Sequence, residues 1–158
     1  MIKMIRVDYR LLHGQVAFSW TQMLGADALL LISDTLKDDP LRLQTLSLAK
    51  PEGTKVVVKD SNEAIKILKS GITDKYKLFI ICETLEIAAK VAEELNIRSI
   101  NVGNIAFAQD RKQVSKSVFL DDKDIDILKK LIQDNFDVYI QMVPTESKID
   151  AKKILKEV

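Results

Sequence analysis

Ala28-Leu29-Leu30-Leu31-Ile32-Ser33 and Lys77-Leu78-Phe79-Ile80-Ile81-Cys82 are apolar almost without interruption. A strand with one solvated face alternates apolar and polar side chains, whereas a strand covered on both faces does not. These two stretches therefore read as interior strands of a sheet lying between helices. Five further runs read as strands around them: Ile2–Val7, Lys55–Val58, Arg98–Gly103, Ser117–Leu120 and Asp137–Val143. Strand and helix alternate through the first five strands. The economical solution is an α/β fold: an open, doubly wound, mostly parallel sheet of about seven strands with helices on both faces. The polar segment Asn104–Lys116 shows no clear helix, and a connection without a crossover helix predicts an antiparallel sixth strand. No repeat or linker interrupts the chain, so residues 1–158 read as one domain.

Helix signals fill the gaps. Gln15–Leu24 places Val16, Trp20 and Leu24 on one face, and Gly25 follows as a stop. Asp39-Pro40 supplies a cap and a first-turn proline for a helix reaching about Ala49. Asp60 and Glu63 read as a capping box for a helix that Gly71 ends. Leu85, Ala88, Ala92 and Leu95 recur at helical spacing after Thr84. Asp121 opens a helix carrying Ile125, Leu128 and Ile132, and Ser147 or Asp150 caps a last one.

Composition narrows the chemistry. The chain has 24 Lys plus Arg against 23 Asp plus Glu, one His and one Cys, with 47% apolar residues. This is the balance of a folded globular protein. A net charge of +1 gives no bulk attraction to nucleic acid or to an anionic membrane. One Cys excludes an internal disulfide and a multi-cysteine zinc cage. One His excludes any mechanism needing two imidazoles in one subunit. The N-terminus lacks a signal-peptide core, and the longest apolar run, Ala28–Ile32, falls far short of the ~20 residues of a membrane-spanning helix. A cytoplasmic location is expected.

In doubly wound sheets ligands bind outside the carboxyl ends of the strands, which nominates Asp8–Gly14, Ser33-Asp34, Glu83-Thr84 and Gly103-Asn104. The first of these loops, within Arg6–Val16, packs two arginines, an aspartate and the only histidine into eight residues. A neutral imidazole is a natural phosphoryl acceptor near neutral pH. Gly14 permits close backbone approach where a helix begins, and amides at a helix N-terminus favour an anion. Arg10 can clamp phosphoryl oxygens bidentately. Asp8 can pair with Arg10 or accept the far N–H of the His13 ring. The competing reading makes His13 incidental and Arg6–Asp8 a surface ion pair of little energetic value.

The string Arg6-Val7-Asp8-Tyr9-Arg10-Leu11-Leu12-His13-Gly14-Gln15-Val16 resembles the active-site signature of the IIB subunits of the mannose/fructose/sorbose family of the bacterial sugar phosphotransferase system. Ser33-Asp34 and Asn101-Val102-Gly103-Asn104-Ile105-Ala106-Phe107 resemble the same family, and the likeness covers essentially the whole chain as a stand-alone IIB protein. The resemblance implies that His13 takes phosphate from a phosphohistidine on IIA, on its Nδ1 atom, and passes it to a sugar. It implies that Arg10 stabilises the phosphoryl group and that Asp8 organises the loop. Gly14, Gln15 and Arg6 belong to the phosphate-binding loop, with Asp34, Gly103 and Phe107 at its rim. The implied partners are IIA, the membrane components IIC and IID with which the chain associates peripherally, and the sugar. No metal or cofactor is implied beyond the covalent phosphohistidine. Mannose, fructose, sorbose and amino sugars all stay open, as does homo-oligomerisation.

Other readings compete with this one. A histidine phosphatase needs an Arg-His-Gly motif and a second histidine; here Leu12 precedes His13 and no second histidine exists. A phospho-regulated receiver-like module needs a lysine after the fifth strand, which ends Asn101-Val102-Gly103. A nucleotide-binding module lacks its glycine pattern. Phe18 and Trp20 are expected in the core, and Leu11 and Leu12 either in the core or on an apolar docking rim. Cys82 reads as core. Asp121, Asp122 and Asp124 read as helix capping, and Lys148, Lys152, Lys153 and Lys156 as a solvated face. Asp110, Arg111 and Lys112 stand in a loop long enough to reach a partner.

Overall fold

A computed structural model describes residues 1–158. Its strands are β1 (Ile2–Asp8), β2 (Ala28–Ile32), β3 (Lys55–Lys59), β4 (Leu78–Cys82), β5 (Ser99–Asn104), β6 (Lys112–Ser115), β7 (Val118–Leu120), β8 (Asp137–Ile140) and β9 (Ile149–Asp150). Its helices are α1 (Gly14–Leu24), α2 (Pro40–Leu48), α3 (Ser61–Ser70), α4 (Leu85–Leu95), α5 (Asp122–Gln133) and α6 (Ala151–Leu155). Seven strands form one sheet in the order β3-β2-β4-β1-β5-β8-β9, parallel except where β9 runs against β8. β1 lies between β4 and β5, so the loop that follows it emerges near the middle of the sheet's carboxyl edge.

The helix boundaries follow the signals in the sequence. Asp39, Asp60, Thr84, Asp121 and Asp150 each accept a hydrogen bond from a first-turn amide of the helix they precede. Gly25 and Gly71 close α1 and α3 in the left-handed region, which glycine enters without a Cβ penalty. β2 and β4 are buried at every position, as their unbroken apolar runs require.

The two faces of the sheet are unequal. α3, α4, α5 and α6 cover one face with a core of 30 buried residues. α1 and α2 cover part of the other with a core of 10, built on Trp20, Leu29, Leu31, Phe79 and Ile81. Each fully buried large aliphatic or aromatic side chain contributes roughly 1.5–3 kcal/mol. The larger cluster therefore carries most of the hydrophobic stabilisation, and the smaller face can accommodate buried charge.

The antiparallel elements differ from expectation in their place. Ser117–Leu120 does pair antiparallel, but in a separate two-stranded ribbon with β6. β5 already has β1 on one side and β8 on the other, so it offers no free edge. The ribbon meets the end of β5 through a bridge from Ile105 to Val118 and through the Ser117 hydroxyl, which donates to the Gly103 carbonyl at 2.8 Å. The antiparallel member of the main sheet is the two-residue β9, in the stretch expected only to cap the last helix.

Candidate functional site

Alternation along β1 sorts its side chains between the two faces. Ile5 and Val7 join the larger core, while Arg6 and Asp8 point to the face covered by α1. Arg6 is 1% exposed. Its Nη1 donates to Asn101 Oδ1 at 2.6 Å and to the Gln141 carbonyl at 3.1 Å. Its Nη2 donates to Asp8 Oδ2 at 3.2 Å and to the Met142 carbonyl at 2.9 Å. The guanidinium also lies 5.4 Å from the centre of the Trp20 ring. A buried cation persists only when it is paired and hydrogen-bonded in this way. Burial draws the Arg6 pKa below its ordinary value, against the Asp8 charge that raises it.

Asp8 distributes the charge of Arg6 through the loop. Its Oδ1 accepts from the Arg10 amide at 3.0 Å, and its Oδ2 accepts from Arg6 and from Asn104 Nδ2 at 2.9 Å. The same Oδ2 lies 2.9 Å from His13 Nε2. Burial pushes the carboxyl up. The His13 hydrogen bond, the Arg6 charge and the Asn104 amide outweigh it, and the net pKa falls below the usual carboxylate value. With Asp8 ionised, Nε2 carries the proton, and the His13 lone pair resides on Nδ1. Nδ1 has no protein partner and is not sealed from solvent.

The turn after β1 positions what lies around Nδ1. The Leu11 amide donates to the Asp8 carbonyl at 2.9 Å, and the Tyr9 amide to the Asn104 carbonyl at 3.1 Å. Leu11 has φ +57°, a left-handed conformation costing a non-glycine residue about 1–2 kcal/mol. Its side chain is buried, which holds the turn in place. His13 occupies the cap position of α1 in extended conformation, yet its ring does not cap the helix. The amides of Gly14, Gln15 and Val16 therefore have no protein acceptor, and no acidic residue stands in that first turn. Arg10 is exposed and its guanidinium is unpaired. A lone pair, a free guanidinium and open helix amides form the surroundings a phosphoryl group requires.

The structure thus brings Asp8, Arg10, His13, Gly14 and Gln15 into one loop. Arg6 is a correction: it is sealed beneath the loop, 1% exposed and held by protein acceptors, so it does not stand in the open phosphate-binding loop as expected, and the competing surface ion pair with Asp8 is a buried one. Gly103 also acts from below, since a Cβ there would sit 2.1 Å from the Arg6 guanidinium carbon. Asp34 is turned away, with both carboxylate oxygens on Ser61 at the start of α3, at 2.8 and 3.1 Å.

Phe18 is 52% exposed, against its expected place in the core. At about 100° per residue it lies about 200° around the helix from both Val16 and the buried Trp20. Leu11, Leu12 and Trp20 are buried, and Phe107 is exposed. Cys82 is buried and its thiol pKa is pushed up by desolvation. Asp121 and Asp124 form a reciprocal capping box, with Asp124 raised by burial to about 6. Arg111 turns inward, donating to the Ala106 carbonyl at 2.8 Å, while Asp110 and Lys112 stay exposed. Gln141, buried, was not named, while Asn101 and Asn104 were quoted in the stretch resembling the family, and Asn104 also by its place after a strand, with no role given to either. The available signal was a polar side chain at the carboxyl end of an otherwise apolar run.

Three comparisons with known proteins identify the family and the fold. The family model of the PTS system sorbose subfamily IIB component matches residues 2–158. The chain is 31% identical over 149 residues to the N-acetylgalactosamine-specific phosphotransferase enzyme IIB component 1 of Escherichia coli, covering 93% of this chain and 94% of that one. It is 30% identical over 159 residues to the sorbose-specific EIIB component of Lacticaseibacillus casei, covering 100% and 97%. Its fold matches the crystal structure of the IIBSor domain of the sorbose permease from Klebsiella pneumoniae with a TM-score of 0.93 over 100% and 98% of the two chains, at 24% identity.

Proposed function

Since the chain belongs to the sorbose subfamily of phosphotransferase-system IIB components, phosphotransferases that act as phosphocarriers in sugar uptake, we propose that His13 is the residue that carries the phosphoryl group. The observation supporting this most strongly is the 2.9 Å contact between His13 Nε2 and Asp8, which leaves Nδ1 as the nucleophile. Nδ1 attacks the phosphorus of a phosphohistidine on IIA; the new N–P bond forms as the donor's N–P bond breaks. The His13 ring becomes cationic, and the Asp8 carboxylate against its Nε2–H stabilises that charge. Arg10 and the amides of Gly14, Gln15 and Val16 hold the three equatorial oxygens through the transfer. A sugar hydroxyl then attacks the phosphorus, the Nδ1–P bond breaks, the ring returns to neutral imidazole, and the hydroxyl proton passes to solvent. His13 is itself the carrier, and no metal or further cofactor takes part.

The partners in this reading are IIA as donor and the membrane components IIC and IID, which present the sugar. A relative that is 28% identical over 159 residues is named as a mannose-specific EIIAB component, which supports IIA as the neighbour in the relay. No helix is long and apolar enough to cross a membrane, consistent with a chain that works in the cytoplasm against separate membrane components.

The test is phosphorylation. Incubation with phosphoenolpyruvate, the general phosphotransferase proteins and a cognate IIA is expected to give an acid-labile, base-stable phosphoprotein. The variant His13→Ala is expected to take no label, and label persisting on it overturns the assignment.

A further inference from the structure

The lower part of the phosphate loop is fixed by Asp8, but its tip is held from elsewhere. Arg42, in the first turn of α2, donates from Nη2 to the Tyr9 carbonyl at 2.8 Å. Tyr9 directly precedes Arg10, whose amide is already on Asp8. Arg42 Nη1 is paired with Glu83 Oε1 at 3.2 Å, at the carboxyl end of β4. Glu83 also accepts from the Ser33 hydroxyl and from Thr35 Oγ1 at 3.1 Å, just beyond β2. One guanidinium thus joins the carboxyl ends of three neighbouring strands, β2, β4 and β1, and its far end rests on the residue beside Arg10.

The pairing is half-buried, with the Arg42 side chain 27% and that of Glu83 18% exposed. A lone exposed ion pair in that setting would contribute little to stability. The fork geometry gives it another use, because two nearly parallel N–H groups fix direction as well as distance. The Tyr9 carbonyl has no other partner within the protein, and it belongs to the same planar peptide as the Arg10 amide, so Arg42 at the oxygen and Asp8 at the N–H grip that peptide from its two sides.

We propose that Arg42, braced by Glu83, is a positioning residue for phosphoryl transfer. It fixes the Tyr9 peptide and through it the place from which Arg10 reaches the phosphoryl oxygens. This rests on the assignment of His13 as the carrier. Arg42 touches neither the imidazole nor the incoming phosphate; it acts by holding the loop in transfer geometry before the donor arrives. A misplacement of about 1 Å at such a distance from the chemistry costs up to about a hundredfold in rate.

The experiment compares single-turnover transfer from phosphorylated IIA to the whole chain and to Arg42→Gln, Arg42→Lys, Glu83→Gln and the double variant Arg42→Gln/Glu83→Gln. Arg42→Gln is expected to slow the transfer step about tenfold while the half-saturating IIA concentration stays within about twofold. Its Arg10 amide is expected to exchange with solvent faster. Arg42→Lys recovers part of the rate, since an ammonium reaches one acceptor of the two. Glu83→Gln slows transfer by less, and the double variant is no slower than Arg42→Gln, because residues in one chain of contacts are not additive. Unchanged transfer by a folded Arg42→Gln overturns the proposal. So does a rate loss that follows the fall in melting temperature, or one that lies wholly in the IIA concentration dependence. Absence of label on the unsubstituted chain overturns the assignment of His13 and this inference together, whereas label on it with an unaffected variant overturns this inference alone.

Discussion

Arg6 and Arg10 stand four residues apart on either side of Asp8 and have opposite surroundings. Arg6 lies under the loop with a carboxylate, an asparagine oxygen and two backbone carbonyls on its guanidinium and an indole ring beside it. Arg10 lies on top with its guanidinium in solvent. Asp8 connects them, taking the side chain of one and the backbone amide of the other. Charge at the base of the loop is spent on holding a shape. Charge at the rim stays free, as the proposed capture of a phosphoryl group requires.

If the two arginines differ in this way, substitutions should separate stability from chemistry. Arg6→Met is expected to have the largest effect on stability, about 3–5 kcal/mol, because it strands the buried Asp8 carboxylate, takes the donor from Asn101 Oδ1, and leaves the Gln141 and Met142 carbonyls with only Asn101 and Trp20 as donors. Denaturant unfolding measures it, and a loss near zero would place Arg6 with Arg10. Gly103→Ala attacks the same base from the other side. Its methyl would overlap the Arg6 guanidinium, with an expected cost of about 1–3 kcal/mol and slower transfer.

Acid tests the carboxylate between them. The folded pKa of Asp8 is lowered, so its contribution to stability is fully present above the ordinary carboxylate value of 3.8 and is lost as pH falls through the lower folded value. Thermal melts from about pH 5 downward are expected to show this loss in the unsubstituted chain and to show less of it in Arg6→Met, where Asp8 has lost its cation. The smallest stability effect is expected for Arg10→Ala, within about 0.5 kcal/mol. Transfer to His13 should nevertheless slow by about 2–4 kcal/mol in the barrier, if Arg10 acts as an oxyanion donor does. Stopped-flow transfer beside a thermal melt separates the two quantities.

Much of this organisation was legible from residue order. The unbroken runs of β2 and β4 gave the covered sheet, and the capping residues Asp39, Asp60, Thr84 and Asp121 placed four helix starts. The loop from Asp8 to Gln15 announced itself by composition. What stayed hidden depends on contacts between distant segments. β6, Lys112–Ser115, is short and partly exposed, so it carries no apolar run to mark it. Arg6 read as part of the phosphate-binding loop, or as a surface charge, because Asn101 and the carbonyls of Gln141 and Met142 that bury it come from much later in the chain. Gly103 looked like a ligand contact because nothing in its neighbours shows that a guanidinium fills the place of its side chain. Phe18 could have been placed outside by helical arithmetic alone.

The bonds from Arg6 to the Gln141 and Met142 carbonyls have a consequence for how the chain matures. The loop bearing His13 leaves a ribosome well before the acceptors that neutralise its buried arginine. The other face of the sheet can begin to gather around β1, β2 and β4 as soon as their helices exist. The loop after β1 cannot close its electrostatics until residue 142 has emerged. A segment made early is therefore completed late, and a nascent chain sets the geometry around His13 only after Met142 has been added.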